Sequence, residues 1–140
     1  MNFSEAVKSA FTRMTDYKGR SSRSEYWWFV LFNCLSSIGI GILISIAGGN
    51  GGTSLFTRLA QLLFLLGPGL PLLVRRLHDT NKSGWFALIG FLPFIAGIAM
   101  PLIASVALLI MYLIGSVALL ILTLLPSNMG NNKYGSNPLI

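Results

Sequence analysis

The sequence predicts an all-α fold: a multi-pass transmembrane helical bundle of four spans, preceded by a short amphipathic helix at the membrane interface. Three observations carry that prediction. The chain is 54% hydrophobic and only 10% charged, a balance outside the range of soluble domains. Its apolar runs reach the roughly 20 residues that a helix needs to cross a hydrocarbon core about 30 Å thick. The dense polar run Arg75-Arg76-Leu77-His78-Asp79-Thr80-Asn81-Lys82-Ser83-Gly84-Trp85 lies between two such blocks, which puts it at a membrane surface. Residues 1–140 read as a single integral membrane domain.

Residues 2–15 carry Phe3, Ala6, Val7, Ala10, Phe11 and Met14 on one helical face, with Glu5, Lys8, Ser9, Thr12 and Arg13 opposite. Asn2 followed by Glu5 resembles a capping box. The segment is too short and too polar to span, so it lies in the interface or docks on the bundle. A basic elbow follows at residues 17–25, and Tyr26-Trp27-Trp28 supplies rings suited to the headgroup level. The first span is placed at 26–47. Ser37, Gly41 and Ser45 recur on it every four residues, a stripe that permits close helix approach. This apolar block is longer than that of a cleaved leader.

Gly48 to Ser54 reads as a flexible connector, because no Lys-Ser or Lys-Thr pair follows its glycines to complete a phosphate loop. The second span is placed at 55–74. Gly67-Pro68-Gly69-Leu70-Pro71 predicts a kink in its second half, since each proline removes a backbone donor. Residues 85–125 are too long for one helix, and a division near Met100-Pro101 gives spans at 85–101 and 104–125. The tail, 126–140, is rich in Asn, Gly and Ser and reads as irregular.

Four spans put the N-terminus, the central polar run and the tail on one side. That side then holds Lys8, Arg13, Lys18, Arg20, Arg23, Arg75, Arg76, Lys82 and Lys133, against Arg58 alone on the other. The positive-inside rule makes the crowded side cytoplasmic. A three-span arrangement would export Lys133 and leave the last apolar block unexplained.

The formal charge of +6 invites a nucleic-acid reading. The basic residues cluster beside predicted spans, however, where they set topology and meet anionic headgroups. Cys34 lies inside an apolar block and has no second cysteine to pair with. One His, one Cys and four carboxylates make a poor metal site, and no cofactor motif is present. No nucleophile sits beside a recognisable motif, so no enzyme is expected. Coupled transport normally keeps ionisable groups at membrane depth, and the predicted spans offer only Arg58, close to an end.

Three blocks carry a resemblance to a known family. They are Tyr17-x-Gly19-Arg20-x-Ser22-Arg23-x-Glu25-Tyr26-Trp27-x-Phe29, then Arg75-Arg76-Leu77-His78-Asp79-x-x-x-Ser83-Gly84-Trp85, then Gly130-x-Asn132-Lys133-Tyr134-Gly135-x-Asn137-Pro138. In these the chain resembles the bacterial family called domain of unknown function 805, the YhaH-like inner-membrane proteins. It departs in having Asn137 where the family commonly has Asp, and a longer apolar stretch after Trp85. The resemblance implies a multi-pass protein of the bacterial inner (plasma) membrane, and it implies no activity.

All three blocks fall on the cytoplasmic face of the four-span arrangement. The expected site is therefore a shared cluster of Arg20, Arg23, Glu25, Arg75, Arg76, His78, Asp79, Lys133 and Tyr134. Glu25 and Asp79 would each hold an arginine through a two-pronged pair, and the surplus arginines would meet lipid phosphates. The corresponding function is that of an accessory or scaffold subunit. It would bind anionic lipid headgroups or a membrane partner, in a larger complex or as a homo-oligomer. The alternative is a small transport or lipid-translocating protein acting as an oligomer.

Overall fold

A computed structural model describes residues 1–49, 55–89 and 106–138. Among these residues the chain is helical, with no β-strand. Its α-helices are α1 (Phe3–Thr12), α2 (Arg23–Ile46), α3 (Leu55–Phe64), α4 (Leu70–Asp79) and α5 (Val106–Leu124). Among the described residues two continuous helices are long and apolar enough to cross a bilayer, Arg23–Ile46 and Leu59–Asp79. The third predicted span, 85–101, falls mostly outside the described residues, as do the division at Met100-Pro101 and most of the 48–54 connector.

The backbone forms two compact units, Met1–Tyr17 with Ser24–Leu72 and Lys18–Arg23 with Leu73–Ile140. The first is held by apolar and aromatic packing. Its α1 begins with the expected capping box: Asn2 Oδ1 accepts from the Glu5 amide and Glu5 Oε2 from the Asn2 amide, both at 2.9 Å. The helix stops at Thr12, three residues before the predicted end. Arg13 turns back there to pair with Asp16 at 2.8 Å.

Ala6 and Ala10 are buried, and Ala10 packs with Phe29 and Leu72. Phe11 meets Phe29, Phe32 and Phe64 edge-on at centroid distances of 6.2, 5.9 and 6.1 Å, the geometry that aromatic quadrupoles favour. Ser9 donates at 2.7 Å to the buried carboxylate of Glu25 on α2.

The Gly67–Pro71 stretch does not break its helix. Between α3 and α4, residues Leu65–Gly69 form one wider turn in which the Leu70 amide donates to Leu65. The widening accommodates Pro68, which brings no amide hydrogen to the ladder, and the helix runs on.

The second unit contains the end of α4, a 3-10 turn at Gly84–Ala87, α5 and the tail. Here the predicted boundary needs correction. The span placed at 55–74 continues as helix to Asp79, so Arg75, Arg76, His78 and Asp79 stand on the last turns of α4 rather than in a loop. What stops the helix is a Schellman-type closure. Lys82 donates to the Leu77 carbonyl and Asn81 to that of His78, with Asn81 left-handed at φ 58°.

Candidate functional site

Asp79 is the only carboxylate in the second unit, and it is fully buried. A carboxylate on the last turn of a helix opposes the helix dipole and is stable in a protein interior only with cations around it. Two arginines provide them. Arg20 donates from Nε to Asp79 Oδ1 at 2.9 Å, and its Nη2 lies 2.9 Å from the same oxygen. Arg76, one helical turn before Asp79, donates from Nη1 to Oδ2.

Both guanidiniums then spend their remaining donors on backbone carbonyls. Arg20 reaches Asn128 at 2.7 Å and Gly130 at 2.6 Å. Arg76 reaches Thr123 at 3.0 Å through Nε, and Leu125 through Nη2. Thr123 and Leu125 belong to the end of α5, whose last carbonyls have no partner within the helix. Arg76 is therefore a C-cap supplied from another helix.

The electrostatics of this knot balance. Two guanidinium charges face one carboxylate and the C-terminal ends of α4 and α5, each equivalent to about half a negative charge. Among these groups the charges sum to about zero, and Arg75, fully buried on the same stretch of α4, adds a further guanidinium outside that sum.

Around the knot, the end of α4 is closed by the other two blocks. The Arg75 carbonyl accepts from the Ser21 amide, and that of Asp79 from the Asn128 amide. Asn132 works at both ends of its amide: Nδ2 donates to the His78 carbonyl and Oδ1 accepts from the Tyr134 amide, both at 2.9 Å. The tail turn so held is closed by reciprocal bonds between Asn132 and Gly135. Gly130 and Gly135 adopt φ of 75° and 136°, which disfavour any side chain.

His78 is clasped rather than open. Its ring stacks on Tyr134 at 3.8 Å and 5°, and its Nδ1 lies 3.3 Å from the Gly19 carbonyl, to which the Nδ1-protonated tautomer donates. A Cβ on Gly84 would lie 2.7 Å from Val74 and 3.4 Å from His78, so only glycine lets the 3-10 turn approach α4 here.

Of the nine residues expected to cluster, Arg20, Arg76, His78, Asp79 and Tyr134 meet in this unit. Arg75 joins them through its carbonyl, and its side chain is fully buried. Lys133 lies 4.9 Å over the Tyr134 ring and is exposed, as is Arg23. Glu25 belongs to the first unit, where it accepts from Ser9. Asp79 takes Arg20 and Arg76, and these two arginines and Arg75 are 5%, 0% and 0% exposed.

The sequence reading missed Thr123, Leu125, Asn128 and Gly130, because they take part through backbone carbonyls that no side-chain pattern announces. It also missed the role of Asn132, although a polar residue between glycines was a visible turn signal.

The family comparison bears on these same blocks. The model of the family described as "Protein of unknown function (DUF805)" matches residues 14–136, from just before Arg20 to just past Gly135. The chain belongs to the DUF805 family. It is 38% identical to Inner membrane protein YhaH of Escherichia coli K12 over 81 residues, 56% of this chain and 66% of YhaH. It is 36% identical to Inner membrane protein YhaI of the same strain over 95 residues, 66% of this chain and 75% of YhaI. No solved structure matches it significantly. Relatives named as inner-membrane proteins support the same location for this DUF805 protein.

Proposed function

We propose that this DUF805 protein is a non-catalytic, four-span inner-membrane protein in which the knotted end of the second unit, where α4 and α5 terminate, is a cytoplasmic platform for a membrane partner or anionic lipid. The observation that carries the reading is the placement of charge. The second unit contains Lys18, Arg20, Arg23, Arg75, Arg76, Lys82 and Lys133 against Asp79, the whole formal +6 of the chain; Lys18, Arg23, Lys82 and Lys133 are exposed, and the one carboxylate side chain is buried. In the first unit three cations and three carboxylates cancel. A surface of one sign on a fastened scaffold serves recognition.

The engagement of His78 supports a structural rather than an acid–base role. One ring face lies on Tyr134 and Nδ1 lies against Gly19. The helix ends support four spans. Arg23 opens α2, Asp79 closes α4 and Leu124 closes α5, and bonds join these ends: the Ser21 amide donates to the Arg75 carbonyl, and Arg76 donates to the Thr123 and Leu125 carbonyls. If α5 crosses the bilayer, its start is on the far side, and the chain between 79 and 106 crosses once. The apolar stretch 85–101 is about the length needed. The excess of cations makes the gathered side cytoplasmic.

Purification of the full chain in nanodiscs, with mass spectrometry of what accompanies it, tests the platform. A stoichiometric membrane partner lost on Asp79→Ala is the expected result. Turnover or flux by the protein alone, abolished by His78→Ala, overturns it. Labelling of Lys82→Cys from one side of the membrane at a time tests the orientation, and accessibility from the periplasm contradicts it.

A further inference from the structure

We infer that the lipid contact of this platform is made by Lys82 and Lys133, with Trp85 three residues after Lys82, and that its ligand is the phosphate of an anionic phospholipid headgroup. The inference rests on the cytoplasmic placement of the knotted end proposed above, and it moves the contact away from the arginines of the knot. Arg20 and Arg76 have their donors committed to Asp79 and to carbonyls, and they are buried. Lys82 and Lys133 are exposed.

The fold brings the two lysines to one helix end. Lys82 is the residue whose amide closes on the Leu77 carbonyl of α4. Lys133 follows Asn132, whose side chain closes on the next carbonyl, that of His78. Two independent chain segments therefore cap consecutive carbonyls, and each carries an ammonium group at the tip.

Among the described residues neither ammonium has an ion pair, and the unit's single carboxylate side chain lies inside the knot. Trp85, three residues after Lys82, is 78% exposed, an amphipathic ring of the kind that sits among headgroups. An exposed ammonium is a hydrated point charge on a flexible stem, and a headgroup phosphate at an anionic surface responds to that charge. The basic turn thus has two cations and an interfacial anchor where a phosphodiester would lie.

The test uses the full chain in nanodiscs of equal phosphatidylglycerol and phosphatidylcholine, released and weighed by native mass spectrometry. The wild type is expected to retain phosphatidylglycerol preferentially. That preference falls about five-fold for Lys82→Gln or Lys133→Gln and about 25-fold for both, from the roughly constant gain per basic residue at an anionic surface. The double Lys→Arg variant keeps it. An unchanged preference in the double Gln variant, at an unchanged melting midpoint, overturns the inference. So does wild-type retention that is the same at 0.1 and 1 M NaCl, a measurement that needs no variant (concentrations on the order of those at which screening is weak and strong). Failure here with one-sided labelling of Lys82→Cys still cytoplasmic leaves the platform standing. Periplasmic labelling sinks the platform itself.

Discussion

The two units of this chain solve the same problem with opposite materials. The first buries Phe29 and two alanines of α1, and rings at positions 11, 29, 32 and 64 meet around them. The second buries Arg20, Arg76 and Asp79 and closes two helix ends with them. In lipid the difference matters. Apolar packing is only marginally better than contact with acyl chains, which are equally apolar. A buried charge without its partner has no such substitute. The polar unit should therefore be the more sensitive of the two, although its composition looks like that of a surface loop.

Two substitutions and one deletion bear on that contrast. The largest effect is expected for Asp79→Ala, which leaves two buried guanidiniums facing each other. The loss should be on the order of 3–5 kcal/mol, read as unfolding in mild detergent. Deleting the tail after Leu125 comes next. It removes the Asn128 and Gly130 carbonyls from Arg20 and should cost about 3 kcal/mol, two hydrogen bonds to a charged group. Phe29→Ala in the first unit should cost least, about 1–2 kcal/mol, chiefly its aromatic contacts. A reversed order, with Phe29→Ala the worst of the three, would break the comparison.

Much of the helical architecture was legible in the sequence, because bilayer thickness and backbone satisfaction leave few options. The Asn2–Glu5 capping box and the long apolar helix from residue 23 followed from local pattern. The end of α4 did not. Arg75, Arg76, His78 and Asp79 look like a solvated run, and only distant acceptors such as Thr123 and Leu125 let the helix carry them inside. Propensity and charge count are local quantities, whereas burial of an arginine depends on what folds over it.

The cluster shows the same division. That the three blocks contain matching polar residues was visible. That Asp79 takes two arginines, while Glu25 accepts from Ser9 in the other unit, was not. Neither was the exchange of roles among the cations, in which Arg20 and Arg76 fasten the fold and Lys82 and Lys133 are left outside.

The most direct test of this account is a double-mutant cycle between Arg20→Gln and Asp79→Asn, read from unfolding of the full-length protein in one detergent. Residues 59 apart in sequence and 2.9 Å apart in space should show a coupling of about 2 kcal/mol. Effects that simply add, with no coupling beyond error, would contradict the knot.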